Sequence, residues 1–286
     1  MKTIAVYHNK GGVGKTTTVI NLAAALSKRR FRVLIIDIDS QANTTFATGL
    51  MKFTDEDDDD LRDSNIYHVI ISKSKDFIPG IARKTQFATP EVDTVPSHIS
   101  LIWKERELID KTFSKTRLIE KLKHVEGDYD FVLIDTPPSL NIYAQIALVV
   151  ADYLIIPSDL KPFANEGLRN VKNFIEEIDE FREAIQKKPL QILGVLPSKI
   201  LTTANYVKSS LPKAEELIRS RYGLPVLETR IFQREDLAKC IDNTVTVGDL
   251  SIPDPRSIFD YKPDSQSAEE FEALAIEVIK KIGVTP

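Results

Sequence analysis

The 286-residue chain holds one cysteine, Cys240. A lone thiol excludes an internal disulfide, and it excludes an iron–sulfur cluster or a cysteine-rich zinc site supplied by one chain. Such usage fits a reducing compartment, and the cytoplasm is the expected location. Long apolar runs are missing as well. The longest, from Ile146 to Pro157, is broken by Asp152 and falls short of the ~18 residues of a membrane span. Behind Met1-Lys2 the apolar stretch is too short for the core of a secretory signal. No internal repeat and no Pro/Gly-rich linker divides the chain, so one domain over 1–286 is expected, a length that α/β folds reach as a unit.

Hydrophobic residues make up 42% and charged residues 28%, the balance of a folded globular chain. The formal charge of −4 is unevenly spread. Asp55 to Asp60 carries six acids in a row; without them the chain would be +2. Residues 186–240 hold ten Lys/Arg against five acids, whereas 241–286 hold four against nine. A local basic face is therefore compatible with an acidic whole. The acidic run is expected to be a solvated surface loop over about 52–64.

Short β-branched runs alternate with segments of helical period, the signature of a parallel sheet covered on both faces. Strands are expected at 2–7, 32–38, 129–134, 152–156, 190–196 and 225–230, with a weaker one near 92–95. Helices are expected at 14–29, 114–125, 140–149, 163–185, 203–221 and 266–281. Over 163–185, Leu168, Val171, Phe174, Ile175, Ile178 and Phe181 recur at three- and four-residue spacing, giving one apolar stripe. The last helix is expected to open on a capping box at Ser267-Ala268-Glu269-Glu270 and to close before Gly283.

Lys10-Gly11-Gly12-Val13-Gly14-Lys15-Thr16-Thr17 follows the first strand and opens a helix. A phosphate cradle needs inward-turned N–H groups without a Cβ in the way, and a helix N-terminus adds partial positive charge. Lys15 can then reach the β- and γ-phosphates, and the Thr16 hydroxyl can ligate magnesium. A dinucleotide-binding turn would not place a lysine at the helix mouth. The second strand ends in Asp37-Ile38-Asp39, and strand alternation predicts that both carboxylates point the same way at its carboxyl end. Asp135 closes the run Phe131-Val132-Leu133-Ile134, where an acid can hold a metal-bound water beside a phosphate. Together these residues predict a nucleoside triphosphatase site.

Lys10 to Thr17 resembles the deviant Walker A motif of the ParA/MinD superfamily. Asp37 to Asn43 is similar to its Walker A′ segment, and Val132 to Pro138 to its Walker B. Ile66-Tyr67-His68-Val69-Ile70, Val95-Pro96-Ser97, Gly194-Val195-Leu196 and Leu274 to Ile279 resemble ParA partition ATPases in order and spacing. The resemblance implies a single P-loop NTPase domain: a mostly parallel twisted sheet with helices on both faces. It implies magnesium-dependent ATP hydrolysis, slow and partner-stimulated, in an ATP-bound sandwich dimer. Lys10 would reach the phosphates held by the other subunit, and Gly11, Gly12, Val13, Gly14, Lys15, Thr16 and Thr17 would hold its own nucleotide. Lys15 and Asp39 would serve catalysis, Asp39 by positioning the attacking water. Thr16 would ligate the metal, with Asp135 acting through a metal-bound water and Asp37 supporting that shell.

Within the superfamily, the iron-protein branch needs cysteines that are absent here. The MinD-like alternative, a membrane-associated regulator of division-site placement, needs a basic amphipathic last helix, whereas Glu269, Glu270, Glu272 and Glu277 load this one with acid. A metabolic or metal-insertion ATPase of the same fold is a further alternative. The ParA branch implies non-specific binding to nucleoid DNA and a ParB-like or other adaptor. Its cargo would be a plasmid, a chromosome origin or a protein organelle, as in McdA-like proteins. The chain starts at its first strand, so a helix-turn-helix extension and operator binding are not expected. Candidate DNA contacts are Lys187, Lys188, Lys208, Lys213, Arg219, Arg221, Arg230 and Arg234, which can neutralise phosphates whatever the base sequence. Ile231-Phe232-Gln233-Arg234 and Asp159 to Gly167 depart from the family pattern, and Lys161 in the latter is expected to be an ordinary surface lysine.

Overall fold

Apolar runs with side chains leaving alternately to two covered faces build a sheet of seven strands. The structure, a computed structural model, describes residues 1–51, 59–73, 77–247 and 250–284. The strands are β1 (Lys2–Val6), β2 (Val33–Asp37), β3 (Arg83–Thr85), β4 (Val92–Val95), β5 (Phe131–Asp135), β6 (Tyr153–Ser158) and β7 (Gln191–Pro197). They lie in the order β3-β4-β2-β5-β1-β6-β7, and only the edge strand β3 runs antiparallel. A separate antiparallel hairpin pairs β8 (Thr244–Val247) with β9 (Leu250–Pro253).

The helices are α1 (Lys15–Lys28), α2 (Asn43–Ala47), α3 (Ile66–Ile71), α4 (Phe77–Ile81), α5 (Leu101–Ile109), α6 (Ser114–Lys123), α7 (Ile142–Val150), α8 (Pro162–Ala184), α9 (Leu211–Leu217), α10 (Glu235–Lys239), α11 (Ile258–Tyr261) and α12 (Gln266–Ile282). Ile4, Val6, Val33, Ile35, Phe131 and Leu133 share one core with buried residues of α1 and α12. Their neighbours Leu34, Ile36, Val132 and Ile134 face the opposite way, into a core closed by α3 to α7. Ala5, Leu154 and Ile156 pack with α7, α8 and α9. Both faces of the central strands are thus buried, as a parallel sheet requires. This is the α/β architecture that the sequence pattern predicts.

Register decides where chemistry can gather. Val6 stands beside Asp135, and Asp135 beside Asp37, so the carboxyl ends of β1, β5 and β2 finish level. The segments that follow those three strands therefore meet over one edge, where α/β sheets bind ligands.

Three expectations need correction. The strand expected at 225–230 is reduced to an isolated bridge between Val195 and Val226. Pro225 has no N–H to donate, and the N–H groups of Glu228 and Thr229 donate to the Glu277 carboxylate of α12, both at 2.9 Å, instead of to a strand. The helix expected over 203–221 is α9 flanked by two π-helical turns, Tyr206–Ser210 and Ile218–Tyr222. The last helix is capped two residues earlier than expected: Ser265, whose side chain accepts from the Ala268 N–H, is the N-cap. Its close at Gly283, with φ of 72°, is as expected, since only the left-handed region ends the helix there. Of the acidic run, Asp55 to Asp58 lie outside the described residues; Asp59 and Asp60 are exposed, and Asp60 pairs with Arg83.

Candidate active site

The loop after β1 must turn sharply to start α1, and its glycines allow it. Gly12 and Gly14 have φ of 74° and 92°, left-handed values that cost any other residue strain. Nothing lies within 4 Å of where a Cβ on Gly11 or Gly12 would stand, so the loop backbone faces open space. That space is a cavity of about 440 Å³, lined by Gly11, Gly12, Gly14, Lys15, Thr16, Thr17 and Asp39 and by Pro138 of the β5 segment. Val13 is buried, and its carbonyl accepts from Ser198 Oγ at 2.6 Å, which ties the loop to the end of β7.

Lys15 is buried, and Nζ donates to the Lys10 carbonyl at 3.3 Å. Burial pulls its ammonium below the usual lysine value, against the opposing pull of Asp135 and Asp39. Such a cation gains most from an anion delivered into the cavity. Thr16 Oγ1 donates to Asp135 Oδ2 at 2.7 Å, and Thr44 Oγ1 donates to the same oxygen at 2.7 Å. Asp135 Oδ1 is buried with no partner among the described residues. Burial raises the Asp135 carboxyl to about 6, against the hydrogen bonds from Thr44 and Thr16. A hydroxyl backed by a carboxylate with one oxygen unspent is a set of hard oxygen donors that suits magnesium.

The two acids of the second segment do not point the same way, contrary to the expectation from strand alternation. β2 ends at Asp37, and the Asp39 N–H donates to Asp37 Oδ1 at 3.1 Å, so the chain has already turned. Asp39 lines the cavity, its Oδ1 accepting from the Gln41 N–H at 3.0 Å. Asp37 lies beneath it, fully buried, with Oδ2 accepting from the Thr45 N–H and hydroxyl at 2.8 and 2.7 Å. Burial and the neighbouring Asp135 raise the Asp37 carboxyl well above the ordinary range. Burial also raises Asp39, which the Gln41 N–H and Lys15 oppose. The structure thus brings Lys15, Thr16, Asp39 and Asp135 to one place, with Asp37 as the post that anchors α2.

Sequence reasoning missed Thr44 and Thr45, and it gave Ser97, the end of a family-like segment, no role at the site. Ser97 Oγ donates to the Asp39 carbonyl at 2.6 Å, and the Ser97 N–H donates to Thr45 Oγ1 at 2.8 Å. Lys199 was missed too: it has a left-handed φ of 53° and lines both the phosphate cavity and a neighbouring one of about 240 Å³. Phe232, Gln233 and Arg234 line that second cavity, which also shares Gly14 and Thr17 with the first. A lysine, unlike asparagine or aspartate, gives no sequence signal for the left-handed region.

The basic candidates separate into two groups. Lys188, Lys208, Lys213, Arg219 and Arg221 are exposed. Lys187 pairs with Asp152 at 3.2 Å, Arg230 is held by both oxygens of Glu215, and Arg234 pairs with Glu270 at 2.7 Å.

The family described as AAA domain matches residues 1–192. A ParA family protein of Chlamydia pneumoniae is 33% identical over 285 residues, covering 98% of each chain. The sporulation initiation inhibitor protein Soj of Bacillus subtilis is 30% identical over 277 residues, covering 97% of this chain and 98% of its own. Among solved structures, cobyrinic acid a,c-diamide synthase from Mycobacterium smegmatis, with bound ADP and magnesium, superposes with a TM-score of 0.75 at 25% identity. That match covers 99% of this chain and 96% of the other.

Proposed function

The chain belongs to the ParA family of partition and positioning ATPases, and from that premise we propose that it is an ATP-switched dimer that carries a cargo over non-specific DNA with an adaptor protein. The observation that carries this reading is the buried Lys15 beside a Thr16 hydroxyl donated to Asp135, on the floor of a glycine-lined cavity. Lys15 binds the terminal phosphates, and the loop N–H groups hold the rest of the chain of phosphates. Thr16 would hold magnesium directly and Asp135 would hold it through a bound water, and the ion would supply charge that neutralises the triphosphate. Asp39, at the cavity wall, orients the attacking water and accepts its proton. Lys10 of a second subunit supplies the further cation that a loose phosphoryl-transfer transition state calls for.

The membrane alternative loses support from α12. Its apolar stripe, Phe271, Leu274, Ala275, Val278 and Ile282, is buried in the core with α1 and is not free for a lipid surface. No helix among the described residues is long and apolar enough to cross a membrane. The exposed cations Lys188, Lys208, Lys213, Arg219 and Arg221 are the proposed DNA face. The deciding experiment is sedimentation of the protein with ATP, ADP or neither, with random-sequence duplex and with anionic vesicles. A dimer and duplex binding specific to ATP support the reading; ATP-dependent recovery on vesicles alone overturns it.

A further inference from the structure

Lys10 opens the phosphate loop, yet its amine turns away from the cavity that the loop encloses. Nζ donates to the two oxygens of Asp159 at 3.1 and 3.4 Å, and Lys10 is not among the residues lining that cavity. Asp159 directly follows β6, which neighbours β1 on the side away from β5. Asp39 and Pro138, by contrast, follow β2 and β5. The ion pair therefore draws Lys10 across its own strand, off the phosphate side.

The carboxylate is set for this contact. Its side chain is 11% exposed against 33% for Lys10. The turn that carries it is pinned at both ends: the Leu160 N–H donates to Ser158 Oγ at 3.2 Å, and the Lys161 N–H donates to Asp159 Oδ1 at 3.3 Å. Leu160 is buried with a left-handed φ of 54°, a conformation such a residue keeps only where its surroundings impose it. A second cation waits beside the first. Lys161 Nζ lies 3.9 Å from Asp159 Oδ2, with its side chain 63% exposed.

We infer that Asp159 is a positioning residue that holds Lys10 out of its own phosphate cavity in the single chain and exchanges it for Lys161 when Lys10 reaches across to a second copy. The inference rests on the role in trans proposed for Lys10. A lysine amine free beside the glycine loop would be drawn to the triphosphate bound by its own chain, and a cation spent there is lost to the partner. A pair with a partly exposed lysine is weak enough to break. Releasing Lys10 from a mostly buried carboxylate would strand a charge, and Lys161 removes that penalty.

The first measurement needs no nucleotide. The amines are acylated with a water-soluble reagent and the peptides quantified by mass spectrometry, in wild type, Asp159→Asn and Asp159→Glu. Lys10 labels about 2- to 5-fold faster in Asp159→Asn, the range of one such ion pair, while Lys15 is unchanged and Asp159→Glu returns towards wild type. Equal Lys10 labelling in all three overturns the inference, whatever becomes of the ATPase reading. The second measurement is the protein concentration at which ATP drives dimerisation. It rises by about 2- to 5-fold in Asp159→Asn, whose unheld Lys10 is spent on its own triphosphate, and it rises in Lys161→Ala, whose Asp159 is stranded when Lys10 leaves; the second variant also serves if Asp159→Asn folds poorly. A wild type that dimerises with ATP while both variants match it overturns the positioning role. A wild type that never dimerises with ATP overturns the trans role of Lys10 and the exchange built on it.

Discussion

The carboxyl edge of β1, β2 and β5 and the basic surface between residues 187 and 234 are both rich in charge, and they are built on opposite plans. At the edge, Asp37, Asp135 and Lys15 are buried, and Asp135 alone receives two threonine hydroxyls. Each group there is placed by several others, so removing one disturbs its neighbours and effects will not add. On the basic surface, Lys208, Lys213, Arg219 and Arg221 are exposed on α9 and its flanking turns, where single charges act through a shared field. The first plan suits an exact geometry for one small ligand. The second suits a long polyanion read without sequence.

If that contrast holds, single changes at the edge should be near-complete and those on the surface partial. The largest effect belongs to Lys15→Ala, which should weaken ATP binding by ~100-fold or more, the scale of removing one partner from a buried charge pair. Calorimetric titration with undiminished affinity would remove Lys15 from the phosphate site. Asp39→Ala comes next. ATP affinity should stay within ~3-fold while hydrolysis falls by ~10²- to 10⁴-fold, the usual share of a positioned proton acceptor. Wild-type turnover in that variant would leave Asp39 a wall of the cavity and no more.

The same contrast explains what could be read from the chain alone. Val33 to Ile36 and Phe131 to Ile134 are continuous apolar runs ending in acids, so strand, burial and site are all local in sequence. Short elements were not legible. α3 depends on Asn65 and His68 capping each other's backbone, and α5 mixes buried Leu101 and Leu108 with the exposed Ile102 and Trp103. The site's supporting hydroxyls were missed because Thr44 and Ser97 lie far in sequence from the groups they bond, Asp135 and Asp39. Arg230 and Arg234 looked like free cations because their partners, Glu215 and Glu270, come from helices 15 and 36 residues away.

Burial at the edge also predicts a pH dependence. The Asp135 carboxyl sits at about 6 in the folded chain against an ordinary 3.8, raised by desolvation. Between those values the folded state keeps a proton that the unfolded state has released. Stability of the nucleotide-free protein therefore falls as pH rises through about 4 to 6, by on the order of 2–3 kcal/mol from this group. Asp135→Asn should be the more stable protein at pH 7 and should keep only the shallower slope that the buried Asp37 carboxyl supplies, while binding ATP less well in magnesium. Urea midpoints at pH 4.5 and 7 decide it: parallel slopes in wild type and variant would mean the carboxyl is ordinary.

The smallest effects, and the sharpest test of the contrast, lie within the basic surface itself. Arg219 and Arg221 are exposed on the π-helical turn after α9, whereas Arg230 gives its guanidinium to a buried Glu215 carboxylate at 2.7 and 2.9 Å. Both were equal candidates for DNA by composition. If free charge is what duplex DNA meets, Arg219→Gln with Arg221→Gln should shallow the salt dependence by about 0.9 per arginine in log–log slope and leave basal hydrolysis intact. Arg230→Gln should leave that slope where it was, because the arginine's charge is already answered inside the chain. It should instead lower the melting temperature, since Glu215 is left buried without its partner. Anisotropy with random-sequence duplex across a salt series, in ATP, reads the first quantity and thermal denaturation the second. Arg230→Gln shallowing the slope as much as the double variant would erase the distinction between paired and free cations. The DNA face would then have to be redrawn to include the Glu215 pair.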